Sequence, residues 1–166
     1  LVGLGQLWRP LTLTPMNGWH AIAALFAPLA VLLLGVQLSR EDLYRLLPVL
    51  IGLGALSGLF GLLQAISGGN GLLYFYRITN NGSAVGLFAN RNHAAALLAC
   101  LFPMLAAFAA TVSGTVDEQK RRQIVAAAIG IVLVPLVMVT GSRSGLFLAV
   151  IGLAGAAMIY RQPPAG

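Results

Sequence analysis

Acidic residues are nearly absent from this chain: Glu41, Asp42, Asp117 and Glu118 are the only four in 166 residues, and charged residues of all kinds make up 8%. Soluble globular domains carry about 25% charged residues, so a water-facing fold of ordinary surface is excluded. The formal charge of +6 reflects this shortage of acids more than an abundance of bases, of which there are ten. The only basic run, Lys120-Arg121-Arg122, stands beside two acids, and no clustered basic face of the kind that tracks nucleic acid is present. A single cysteine, Cys100, rules out an intrachain disulfide. Phosphate loops, dinucleotide fingerprints and Cys/His metal spacings are also missing, so neither a metal nor a cofactor is expected.

What the chain has in quantity is apolar residues, 58% by count, with a mean hydropathy of +0.89. About 20 such residues cross the roughly 30 Å hydrocarbon core of a bilayer as a helix. The pattern predicts an all-α, polytopic transmembrane helix bundle of about five helices, treated as a single membrane domain. Three spans are expected over about 18–38, 46–67 and 92–112, the second following a polar loop at Ser39-Arg40-Glu41-Asp42. The stretch 123–160 is too long for one crossing and breaks at Thr140-Gly141-Ser142-Arg143-Ser144-Gly145, which predicts two shorter helices, 123–140 and 145–160. Pro28, Pro48, Pro103 and Pro135 fall inside or at the edge of these spans, where membrane helices tolerate them. Gly54 and Gly58 form a small-xxx-small pair suited to close helix packing. Leu1 in place of an initiator methionine, together with an Arg161-Gln162-Pro163-Pro164 ending, reads as a piece of a larger protein.

Counting Lys and Arg in the connections orients the bundle. The best arrangement puts Arg40, Arg45, Lys120, Arg121, Arg122 and Arg161 on the cytoplasmic side, and leaves Arg9, Arg77, Arg91 and Arg143 outside. All four acids then lie inside, so the outer arginines have no carboxylate in this chain to pair with. An arginine near a bilayer seeks an anion, a carbonyl or water. Two helices begin on the outer side, one at Asn90-Arg91-Asn92-His93 and one at Ser142-Arg143-Ser144. A helix start is the positive end of its dipole, and with an arginine fork it suits a phosphate. Asn and Ser at these positions are also ordinary helix caps. Arg77 sits in a looser connection with Tyr74, Phe75 and Tyr76, an aromatic cluster of the interface type. His93 has no orienting carboxylate nearby, which weakens any reading as a general base. His20 beside Trp19 is weaker still, and the Asn81-Gly82-Ser83 glycosylation pattern is discounted.

The segment Gly86-Leu87-Phe88-Ala89-Asn90-Arg91-Asn92-His93, running into an Ala/Leu-rich helix, resembles the G-x-F-x-N-x-N segment of the O-antigen ligase and Wzy-type polymerase superfamily. Thr140-Gly141-Ser142-Arg143-Ser144-Gly145 resembles the serine-arginine step of the same family, and the order and spacing of the two agree. The resemblance implies a metal-independent, inverting glycosyltransferase in the bacterial inner membrane. Such an enzyme works at the periplasmic face, moving a glycan from an undecaprenyl-pyrophosphate donor to a hydroxyl on a lipid A core, a second repeat unit or a protein. It also implies that Arg91 and Arg143, with Arg77, hold the pyrophosphate, with Asn90, Asn92, His93, Ser142 and Ser144 in support. Complete family members carry the acceptor-activating histidine in a large periplasmic loop that does not match any stretch here, so this piece is expected to be inactive alone and His93 is not that base. A transporter or flippase fragment binding an anion is the competing expectation.

Overall fold

The computed structural model describes residues 15–68, 72–80, 82–111 and 115–161. Five α-helices follow one another: α1 (Pro15–Gln37), α2 (Arg40–Ile66), α3 (Arg91–Ala110), α4 (Val116–Val139) and α5 (Arg143–Arg161), with no strand among the described residues. Helices α2 to α5 are each long and apolar enough to cross a bilayer, which makes this an integral membrane protein by the length criterion. Arg9 and Asn81 lie outside the described residues, as does the side chain of His20. By compactness the chain divides after Leu43. The first unit contains α1, an apolar helix with Pro28 inside it and long hydrophobic side chains such as Phe26, Leu32 and Val36 on its exposed surface. The second runs from Tyr44 and holds the rest of α2, the connection after it, and α3 to α5.

Two helix starts lie more than a turn earlier than sequence patterning predicts, for one physical reason. The residues Arg40-Glu41-Asp42, expected as loop, form the first turn of α2, because Ser39 caps it. Its Oγ accepts the Asp42 N–H at 3.1 Å and donates to the Asp42 carboxylate at 2.6 Å. Likewise α4 starts at Val116, not near residue 123. Thr115 and Glu118 close a reciprocal capping box, Thr115 N–H donating to the Glu118 carboxylate at 3.0 Å and Glu118 N–H to Thr115 Oγ1 at 3.3 Å. Lys120, Arg121 and Arg122 are therefore helical, and α4, at 24 residues, is not a short span. The break at 140–145 is where it was expected. Helix α4 ends at Val139 with Thr140 as its C-cap, Gly141 takes a left-handed φ of 64°, and α5 begins two residues later.

Close packing centres on α3. It lies along α5, touches α4 over a shorter length, and leaves α4 and α5 almost apart. Glycines set the α3–α5 distance. A Cβ on Gly145 would overlap that of Ala95, one on Gly152 would overlap the Ala99 carbonyl, and one on Gly155 would come to 4.0 Å from Pro103. The residue numbers rise together, so α3 and α5 are parallel and start at the same end. On the other side the numbers run oppositely, as α2 and α3 are antiparallel. A Cβ on Gly54 would come 2.7 Å from Leu101, and one on Gly58 would come 2.8 Å from Leu98. The Gly54/Gly58 pair thus does admit a neighbouring helix. Leu98, Leu101, Phe102, Leu133 and Leu136 form the buried centre of this second unit.

Candidate functional site at the shared end of two parallel helices

Since α3 and α5 start together and α4 ends beside them, the connection from α2, the Asn90-Arg91 start and the Thr140–Ser144 turn gather at one end. The connection does not simply lie across the top. Residues Ala84, Val85 and Gly86 are buried, Val85 completely, and a Cβ on Gly86 would meet the Ser57 carbonyl at 2.5 Å. Ser57 precedes the end of α2 by nine residues, which at 1.5 Å per residue places this contact about 13 Å down the helix. Irregular backbone at such depth is tolerated only when protein satisfies its polar groups. Gln64, fully buried, does this: its carbonyl oxygen accepts the Gly86 N–H at 2.9 Å, and its amide donates to Gly86 O and to Leu73 O, each at 3.2 Å. The Tyr76 hydroxyl donates to the same Gly86 carbonyl, and Leu87 N–H donates to Ser57 Oγ at 3.1 Å. Gly86 has a φ of 60° and no room for a side chain, so two independent requirements select glycine there. Phe75, packed on Phe60 with ring centroids 6.1 Å apart, fastens the outer part of the connection.

Past this tuck the chain rises to the start of α3. Thr79 N–H and hydroxyl both donate to Ala89 O, at 2.9 and 3.0 Å. Asn90, extended at φ −132° and ψ 129°, caps α3 by accepting the Asn92 N–H at 2.8 Å. Asn80 accepts the Arg91 N–H at a long 3.5 Å. Asn90 and Asn80 thus occupy first-turn amides of α3. Any anion held at this start is bound by the guanidinium and the helix dipole more than by those N–H groups.

Ser142 joins the two helix starts. It is buried, and its hydroxyl donates to Asn92 Oδ1 at 2.8 Å while accepting the Gly145 N–H at 2.9 Å; it also lies 3.1 Å from the Ser144 hydroxyl. Ser142 N–H in turn donates to Thr140 Oγ1 at 3.2 Å, and that hydroxyl donates to Val137 O at 2.6 Å. Arg91 reaches across the same junction: its Nη1 lies 3.5 Å from where a Gly141 Cβ would stand. A Cβ at 141 would only touch the guanidinium, and the cost of a substitution there is the strain of the left-handed turn.

The expected residues distribute as follows. Arg91, Asn92, Ser142 and Ser144 come together, with Asn90 as the cap and Arg143 exposed on the adjoining turn. His93 is exposed, and its imidazole makes no hydrogen bond among the described residues. Arg77 is exposed on the same connection, between the anchored Tyr76 and Thr79, and nothing described ties it to Arg91 or Arg143. None of the three arginines forms an ion pair among the described residues. Tyr74 donates to Ser83 O at 3.1 Å, and its phenol pKa is raised by partial burial and secondarily by Tyr76, which keeps that proton in place. Patterning did not pick out Gln64 or Ser57, and it marked Tyr76 only as an interface aromatic and Thr140 only as part of the break. Gln64 did carry a signal, as a long polar side chain inside an apolar span.

Below the tuck, Leu50, Leu53, Leu97, Leu101 and Met104 line an open apolar groove of about 300 Å³ between α2 and α3, and Leu87 and Phe88 close its upper end. No family model, curated protein or solved structure matches the chain.

Proposed function

We propose that this chain is part of a membrane glycosyltransferase of the O-antigen ligase or polymerase type. In this reading Arg91 and Arg143 hold the pyrophosphate of an undecaprenyl-linked donor at the periplasmic face, and Arg77 approaches from the connection. The observation that carries the proposal is the parallel α3–α5 pair. It brings two arginine turns to one end, joined through Asn92 and Ser142, while all four acids lie at other helix starts.

The chemistry fits a diphosphate leaving group. As the glycosidic bond to the donor breaks, negative charge grows on the phosphate oxygen, and fixed guanidinium donors favour that state without a metal. Supporting it further, the apolar groove under Phe88 runs on the same helix as Arg91, its first α3 wall residue being Leu97, about 9 Å further along, and a polyprenyl tail continuing down from the phosphates would find it. The hydroxyl that attacks must be activated from another part of the protein, since His93 has no partner to orient it.

The test is made in the full-length protein. Arg91→Ala and Arg143→Ala are each expected to lower glycan transfer by at least about 100-fold, the scale of losing a transition-state donor, with membrane insertion unchanged. Full transfer by either variant overturns the assignment. Loss of uptake of a soluble anion, with glycan transfer never detected, would favour a transporter.

A further inference from the structure

The far end of the same helices is built on different terms. Here, among the described residues of the second unit, α3 packs on both α4 and α5, and between the three runs an open apolar groove of about 430 Å³, floored by Phe102 and Leu105. Its width comes from small side chains, with Ala127 and Gly130 on one wall and Ala156 and Ala157 on the other. The wall residues Gln123, Ala127 and Gly130 of α4 follow helical spacing, and three residues earlier the same face carries Lys120. On α5 the residue four beyond Ala157 is Arg161. Both cations are exposed. So the apolar groove opens at a mouth marked by Lys120 and Arg161, with Arg121 beside them.

Acids do not cancel this mouth: Asp117 and Glu118 set two negative charges against the three positive ones of Lys120, Arg121 and Arg161, and the Glu118 carboxylate is turned into its capping box. In a bilayer an aliphatic chain gains little from leaving lipid for an apolar groove, because both surroundings are hydrocarbon. Selection among lipids therefore rests on the headgroup, and each cation near the surface is worth about a fivefold preference for an anionic one.

We propose that this groove is a binding site for an anionic phospholipid, with an acyl chain along the α3–α4–α5 trough and the phosphate between Lys120 and Arg161. It does not depend on the glycosyltransferase reading, since it lies at the other end of the helices and uses none of the same residues.

The experiment is native mass spectrometry of the whole protein released from micelles containing equal amounts of dioleoyl-phosphatidylglycerol and dioleoyl-phosphatidylcholine. The expected result is retention of phosphatidylglycerol on the order of tenfold above phosphatidylcholine. The double variant Lys120→Gln/Arg161→Gln brings the two close to parity. The double variant Ala127→Leu/Ala157→Leu, at exposed positions that leave the helix contacts alone, removes retention of both lipids while keeping the cations. Excess inorganic phosphate does not displace the retained lipid. Equal retention by the unmodified protein overturns the proposal, as does a preference that survives loss of both cations. Wild-type retention with the groove filled, or displacement by phosphate alone, also overturns it.

Discussion

The two ends of the α3–α5 pair are made from the same kind of apolar helix and yet differ in almost every respect. At the arginine end, glycine and alanine let the backbones meet, and hydroxyl, amide and carbonyl groups are paired across three segments. At the other end, small residues again dominate, but α4 and α5 stay apart and a trough remains between them. Small side chains are therefore not a packing signal by themselves. They draw helices together only where something else fixes the register, and at the arginine end that is Ser142, bonded both to Asn92 on α3 and to its own helix.

The sharpest way to break this contrast is Gly145→Val. Its side chain must displace Ala95, and the variant is expected to lose about 3 kcal/mol, seen as a large fall in the thermal midpoint in detergent. An Ala157→Leu change at the far end should leave that midpoint nearly unmoved. Next in size is Gln64→Leu, which keeps the volume but strips the Gly86 N–H of its acceptor, for a loss of about 2 kcal/mol. Hydrogen exchange at the Gly86 amide is expected to rise sharply in this variant, and unchanged protection would refute the account of the tuck. Ser142→Ala removes the hydroxyl joining α3 to α5 and should cost about 1 kcal/mol, together with a measurable drop in glycan transfer, because Arg91 and Arg143 then lose a shared support. The smallest effect is expected for Thr115→Ala, about 0.5 kcal/mol at an exposed cap, read as local fraying of the first turn of α4 with the arginine end unaffected.

The number of helices and the break between α4 and α5 were legible because hydrophobic length and a Thr-Gly-Ser turn are local properties. The early starts of α2 and α4 have local signals in Ser39 and the Thr115/Glu118 pair, but charged residues in a membrane chain point to loop, and the two signals conflict at these positions. The clustering of Arg91 with Ser142 followed from counting crossings, since two helix starts separated by one down-and-back pass must share a side. The tuck was not accessible in this way. Gln64 and Gly86 are 22 residues apart and meet only because the connection folds back along α2, a contact that no periodicity encodes.

That meeting bears on how the protein is made. Gly86 is made 22 residues after Gln64, so the amide of Gln64, two residues from the end of α2, completes these hydrogen bonds only after the residues leading to α3 have been added. That end of α2 and the start of α3 are therefore finished together.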